Sequence, residues 1–164
     1  MVAAGNSMPD NPLYAVKLAT EQVRLILIPS QIGKASLCAE FADRRVTEII
    51  YMANKGDARQ VELITQRLNK RLEMLATLAS ALEGEETAML LAPAPTEEAG
   101  ADRGVPAPAN NRAKLRMTVA HYADKHQAVL RAVLEKVPEQ AKPALRRAIA
   151  VLEAGYQRTL EALD

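Results

Sequence analysis

The sequence predicts an all-α protein of about five helices. Hydrophobic residues make up 49% of its 164 residues, yet only 3% are aromatic, and this composition argues against a β-sandwich or barrel. Alanine alone occurs 30 times, and the other abundant residue types also favour helix. Apolar residues recur at helical spacing in five segments. We expect an N-terminal helix and two long antiparallel hairpins, joined by a Pro/Ala-rich linker.

The first helix is predicted to start at Asn11-Pro12, where a capping side chain precedes a proline suited to the first turn. Apolar residues follow at steps of three and four, with one imperfect match, and this spacing predicts the face that meets the core. That stripe consists of Leu13, Val16, Thr20, Val23 and Leu27. Pro29-Ser30 ends the helix and starts the next.

The second and third helices should form the first hairpin, over about Gln31–Lys55 and from Asp57 to about Gly84. Gly56 can take a positive φ at the turn, and Asp57 with Gln60 matches a capping box. The predicted core of the second helix is Leu37, Cys38, Phe41, Ala42, Val46, Ile49 and Ala53. That of the third is Val61, Ile64, Leu68, Leu72, Leu75, Ala79 and Leu82.

Residues 85–110 interrupt the helical pattern with alternating alanine and proline and a net charge of −4. Proline removes a backbone donor and fixes φ, so this stretch predicts a flexible acidic Pro/Ala-rich linker. We therefore interpret 1–164 as a single helical domain. It comprises an N-terminal three-helix segment at 10–84, the linker at 85–110 and a C-terminal helical hairpin at 111–164.

The second hairpin is predicted from about Asn111 to Val137 and from about Pro143 onward, with Pro138 in the turn. The stripe of its first helix is Leu115, Val119, Tyr122, His126, Val129, Val133 and Val137. That of its second is Leu145, Ile149, Leu152, Tyr156, Leu160 and Leu163. Because aromatic residues are scarce, Tyr14, Tyr122 and Tyr156 stand out as packing anchors.

No catalytic, cofactor-binding or metal site is predicted, and we expect no enzyme. His121 and His126 are about 140° apart around a helix, so they cannot share one ion from a single face. His126 falls on the apolar stripe and is expected in the core or at an interface. Cys38 is predicted to be a buried thiol, with an intermolecular bridge as the alternative. The pairs Arg44-Arg45 and Arg146-Arg147 are predicted to be solvated, with contact to an anionic surface or partner as the alternative for the second pair.

The net charge of +1 disfavours nucleic acid as a partner. No apolar run approaches the roughly 20 residues of a membrane span. The small polar start at Met1–Met8 is typical of a stub left after an upstream segment has been removed. We therefore expect contact with a membrane only through an absent upstream segment.

Four stretches resemble a bacterial family, the domain-of-unknown-function family 5667, and the last of them is Gly155-Tyr156. The opening Pro12-Leu13-Tyr14 with Lys17 and then Glu21 is similar to the family's start. Residues 42–49 resemble its second helix, and the run from 134 to 145 is similar to a later motif. The resemblance implies an extracytoplasmic helical domain that follows a membrane-spanning segment, sometimes in anti-sigma-like proteins, and it supplies no catalytic residues.

Two functional hypotheses follow. The first is a non-enzymatic extracytoplasmic helical module, the protein-interaction or envelope-sensing part of a membrane-anchored protein, with a protein partner or self-association through its helical faces. The coiled-coil-like seam at Val61–Leu82 fits either kind of partner. The alternative is a metal- or small-ligand-responsive helical sensor of the periplasmic type, which would depend on His121 and His126.

Overall fold

The computed structural model describes residues 8–9, 11–91 and 108–164, with side chains described for 8–9, 11–82 and 111–164. Within these residues five α-helices follow one another: α1 (Tyr14–Leu27), α2 (Gln31–Asn54), α3 (Ala58–Leu91), α4 (Pro108–Leu134) and α5 (Lys142–Glu161), with a 3₁₀ turn at Glu139–Ala141 before α5. The predicted all-α class is confirmed. Helices α2 and α3 form one hairpin, α4 and α5 the other, and α3 packs along α5 to join them.

The turn between α2 and α3 is closed by a Schellman motif. The N–H of Gly56 donates to the carbonyl of Ala53 at 2.9 Å, and that of Asp57 donates to the carbonyl of Met52 at 3.0 Å. Gly56 has φ of 78°, as the motif requires. The Asp57 carboxylate accepts from the N–H of Gln60 at 3.0 Å and so caps α3. The Gly56 and Asp57 predictions are thus confirmed.

The hairpins approach closely where α3 crosses α5. A Cβ added at Gly155 on α5 would lie 2.6 Å from Cδ1 of Leu72 on α3 and 2.8 Å from its Cβ. Such distances are shorter than atomic contact allows, so the absence of a side chain at Gly155 sets the separation of the two helices here.

Some helix ends differ from the prediction. Helix α1 begins at Tyr14 rather than at Asn11-Pro12, and α4 ends at Leu134 rather than at Val137. Helix α3 does not close at Gly84 but continues to Leu91, because one internal glycine costs a helix only about 1 kcal/mol and the residues after it are good helix formers. It ends directly before Ala92-Pro93. Helix α4 begins at Pro108, where the missing N–H is tolerated. The rest of the predicted linker, 92–107, lies outside the described residues.

The predicted core of α2, α3 and α5 is confirmed almost throughout, since these stripes are buried apart from the partly exposed Leu82 and Leu160. On α4 one position is wrong. Val129 is 39% exposed and Leu130 is fully buried. The helix turns every 3.6 residues, so the stripe advances from His126 by four residues rather than three. Val137 is buried beyond the end of α4.

The predicted core face of α1 is wrong. Leu13, Val16 and Val23 are 44%, 51% and 52% exposed, and Leu27 is 73% exposed. The helix is rotated so that its opposite, more polar side meets α2. Apolar periodicity locates a helix, but it predicts the buried side only where that side is apolar, and α1 is instead held to α2 by buried ion pairs.

Candidate functional site

Helix α1 meets the rest of the protein through a largely polar face. Its buried side chains share one side of the helix, at steps of three, four and four: Tyr14, Lys17, Glu21 and Leu25. Lysine and glutamate are almost never fully buried unless they are paired. Their partners lie on α2.

Arg45 and Glu48 of α2 supply those partners. Arg45 Nη2 donates to both carboxylate oxygens of Glu21, at 2.6 and 2.7 Å, and Arg45 Nη1 lies 2.9 Å from Glu48 Oε2. Lys17 Nζ donates to Glu48 Oε1 at 2.6 Å. We refer to Tyr14, Lys17, Glu21, Arg45 and Glu48 as the α1 ion cluster. None of the five exceeds 6% exposure, and two positive charges balance two negative ones.

The Tyr14 hydroxyl lies at the centre of the cluster. It donates to Glu48 Oε2 at 2.7 Å and accepts from Arg45 Nη1 at 2.6 Å and, from α3, from Arg67 Nη1 at 3.2 Å. Cations surround its ring, with Lys17 Nζ and the Arg45 and Arg67 guanidinium carbons 5.3 to 5.7 Å from the centroid. Burial, followed by the hydrogen bond to Glu48, raises the pKa of Tyr14 to about 12. The phenol therefore stays protonated and keeps its hydrogen bond to Glu48.

This cluster specifies how α1 is placed. Removing one partner of a buried ion pair leaves an uncompensated charge, which costs about 3–5 kcal/mol. A rotation or one-turn slip of α1 would separate Glu21 from Arg45 and Lys17 from Glu48 together. The short interface is thus selective for one orientation, and in that orientation the apolar side of α1 points away from the core.

The apolar side of α1 is exposed to solvent along the whole helix. Ile26 and Leu27 are 71% and 73% exposed. We refer to these exposed residues as the outer face of α1: Leu13, Val16, Ala19, Thr20, Val23, Ile26 and Leu27. Single exposed apolar side chains are ordinary, but a contiguous row of them marks an interaction surface.

A basic cleft runs beside this face, between α1 and α3. We refer to it as the α1–α3 cleft; its volume is about 340 Å³ and its lining is Leu18, Glu21, Gln22, Arg45, Arg67, Lys70, Arg71 and Met74. Glu21 and Arg45 satisfy each other within the ion cluster. Among the described residues, Arg67, Lys70 and Arg71 form no ion pair with a carboxylate. The cleft therefore presents positive charge.

A second buried polar group joins α2, α4 and α5 through His126. Its Nε2–H donates to Asp43 Oδ1 at 2.7 Å, and its Nδ1 accepts from the Tyr156 hydroxyl at 2.9 Å, a tautomer assigned from the acceptor-only carboxylate. The Tyr122 ring stacks on the imidazole at 5.3 Å and 12°. His126 and Tyr156 are 2% and 1% exposed. The predicted core position of His126 is confirmed.

The charge states within this group are set by burial and hydrogen bonds. Burial lowers the pKa of His126, although Asp43 opposes the shift. Burial alone would raise the pKa of Asp43, but hydrogen bonds from His126 and Lys125 outweigh it and lower that pKa. Burial raises the pKa of Tyr156. At neutral pH the group is thus a neutral imidazole between a carboxylate and a phenol.

Acidification should destabilise the fold through His126. A lowered pKa means that the unfolded chain binds the proton more readily than the folded chain does. The stability that neutral His126 contributes is therefore complete above about pH 6.5, and it is lost as the pH falls from there through the folded pKa. One group changes the free energy of unfolding by at most about 1.4 kcal/mol per pH unit. Urea unfolding between about pH 7.5 and 5.5 measures the slope. A matching slope in His126→Phe would contradict this assignment.

The other sequence-predicted residues carry no further site. His121 is exposed, and both ring nitrogens of His126 are already hydrogen-bonded. Within 8–9, 11–82 and 111–164, no three His, Cys, Asp or Glu side chains are placed to hold a metal ion. No described helix has the length and apolar character of a membrane span. Cys38 is buried as predicted, and burial raises its pKa to about 11.

The ion cluster was missed by the sequence prediction. Arg45 was expected to be a solvated residue, but it is 1% exposed, whereas Arg147 is exposed and pairs with Glu62. Two signals pointed to the cluster. Lys17 and Glu21 lie four residues apart, and Arg45 and Glu48 lie three residues apart. Each spacing places a positive and a negative side chain on the same side of a helix. Tyr14 was also one of the few aromatic residues.

The family model described as "Domain of unknown function (DUF5667)" matches residues 6–140. The chain belongs to this family. The region matched to DUF5667 includes all of α1 and α2, and therefore the whole ion cluster and the outer face of α1. The stretches that carry the resemblance contain all five residues of the cluster. No curated protein and no solved structure matches the chain.

Proposed function

We propose that this chain is a non-enzymatic extracytoplasmic helical module that binds a protein partner through the outer face of α1. One observation carries the proposal: the ion cluster buries the polar side of α1 and leaves its apolar side exposed along the entire helix. Exposure of an apolar row to water is unfavourable in free energy, and burial of that row in a complex would remove this unfavourable term.

The spacing of the outer face supports a helical partner. Leu13, Val16, Thr20, Val23 and Leu27 follow steps of three and four, the pattern of a coiled-coil seam. The helix of 14 residues is about 21 Å long, so the seam spans two heptads. An amphipathic helix seated on such a row is a recurrent mode of protein recognition. The extracytoplasmic part of the proposal rests on the family resemblance.

Site-specific crosslinking in cells that make the native full-length protein tests this proposal. A photo-crosslinking amino acid is placed at position 27 on α1 or, as a control, at position 117 on α4. Leu27 and Met117 are matched, because both are apolar and 73% exposed. We expect one identified envelope or secreted protein to be crosslinked from position 27 and not from position 117.

A second arm tests the apolar contact itself. Val23→Glu in the chain labelled at position 27 should reduce the crosslinked product at least tenfold, since a buried unpaired charge opposes the contact. The unfolding free energy should change by no more than about 0.5 kcal/mol, because Val23 is half exposed in the isolated chain. Equal products from positions 27 and 117, an unchanged yield with Val23→Glu, or a cytoplasmic partner would contradict the proposal.

A further inference from the structure

We infer that the helix bound by α1 is acidic along one flank and that the α1–α3 cleft receives its carboxylates. This inference rests on the proposed function and adds the chemistry of the partner.

The cleft offers three cations to a ligand. Lys70 is exposed, and Arg67 and Arg71 are half-buried. Arg67 donates one hydrogen bond to the Tyr14 hydroxyl, and Arg71 lies over the Phe41 ring at 5.4 Å. These contacts fix the two guanidinium groups without neutralising them. Carboxylates placed here would form charge-assisted hydrogen bonds with groups that are already oriented.

The cleft is continuous with the outer face. At 100° per residue, Leu18 and Gln22 lie between the buried side of α1 and Ile26, which belongs to the outer face. Both residues line the cleft together with Met74 of α3, which is 39% exposed. A helix packed on the outer face would therefore carry one flank over the cleft, where apolar atoms of Leu18 and Met74 adjoin the cations.

The α1 helix of a second copy fits this surface poorly. The single acidic residue of α1, Glu21, is 2% exposed and bound by Arg45. The only exposed charged side chain of α1 is Arg24, so a paired α1 would bring a cation and no carboxylate toward Lys70 and Arg71. A lipid surface is also less favoured. The outer face has no aromatic residue, and interfacial helices commonly carry tryptophan or phenylalanine on the apolar side.

Synthetic peptides of about 21 residues, long enough for three heptads, test the inference. The first carries a leucine seam flanked by glutamates, the second carries lysines in place of those glutamates, and the third has the first composition in scrambled order. Titration calorimetry with the whole chain should show binding of the glutamate peptide at least tenfold tighter than that of the other two. Raising the salt from about 0.05 to 0.5 M should weaken it.

Variants locate the contact. The double variant Lys70→Glu/Arg71→Glu should weaken binding of the glutamate peptide at least tenfold. The charge-matched control is Lys114→Glu/Lys136→Glu, at two exposed positions on α4 and just after it, and it should leave the affinity within about twofold. Urea midpoints confirm that all variants are folded. Equal affinity for the glutamate and lysine peptides, or no effect of Lys70→Glu/Arg71→Glu, overturns the inference.

The outcomes separate this inference from the proposed function. If both seamed peptides bind equally and Val23→Glu abolishes both, the outer face is a docking site and only the acidic flank is wrong. If no peptide binds, but vesicles containing phosphatidylserine bind or sedimentation shows self-association lost in Val23→Glu, the surface serves a membrane or a second copy, and both proposals fail. Failure of every probe also contradicts both.

Discussion

Replacing Arg45 with methionine is expected to lower the free energy of unfolding by about 3–5 kcal/mol. The change keeps an unbranched side chain but removes the donors to Glu21, Glu48 and Tyr14. Glu21 would retain only Arg44, whose Nη1 is 3.6 Å away, and its carboxylate is 2% exposed. A loss of this size is a large fraction of the stability of an ordinary domain.

Detachment of α1 would limit this loss of unfolding free energy, because it would return the Glu21 carboxylate to water. If detachment is cheaper than a buried charge, urea unfolding will show a smaller change, and hydrogen exchange will show loss of protection confined to α1. Either result identifies the cluster as the attachment of α1. The matched control is Arg44→Met, one residue away and 33% exposed, for which we expect less than about 1 kcal/mol.

A double variant distinguishes the loss of the Glu21–Arg45 charge pair from the loss of side-chain volume at position 45. Adding Glu21→Leu to Arg45→Met removes both charges of the bidentate pair, so the double variant should be more stable than Arg45→Met alone. Equal losses for Arg44→Met and Arg45→Met, or additive losses in the double variant, would contradict the role assigned to the cluster.

Much of the fold could be predicted because four of the five helices follow the usual rule. The stripes of α2, α3 and α5 are apolar on the side that is buried, and Gly56 and Asp57 mark their turn by local chemistry that needs no tertiary information. The end of α3 was harder to predict, because a glycine such as Gly84 often follows the last turn of a helix but costs only about 1 kcal/mol inside one.

The candidate site could not be predicted from periodicity, because the more polar side of α1 is buried and its apolar side is exposed. Leu13, Val16 and Val23 form a better apolar row than Tyr14, Lys17 and Glu21, yet the second row is buried. What decides the orientation is charge pairing between α1 and residues that lie 24 and 31 positions away in sequence. Such pairs have no pattern within α1 alone, and the sequence indicates these polar residues only through their charge spacing on the two helices, the scarce aromatic Tyr14 and the family motif.

The second of the larger predictions concerns which side of α1 is accessible. Leu27→Cys and Leu25→Cys place a thiol two residues apart in the last turn of α1, at positions that are 73% and 5% exposed in the native chain. A thiol at position 27 should react with a soluble maleimide at least tenfold faster than one at position 25, since the latter must wait for local opening. The native Cys38 gives a low background, because it is fully buried and its pKa is raised to about 11.

Comparison of these two labelling rates, at protein concentrations low enough to exclude self-association, tests the orientation of α1 most directly. The buried ion cluster predicts fast labelling of Leu27→Cys, slow labelling of Leu25→Cys, and loss of that difference when Arg45→Met is added. Faster labelling of Leu25→Cys than of Leu27→Cys would show that α1 buries its apolar side, and it would contradict the ion cluster, the outer face and the function proposed from them.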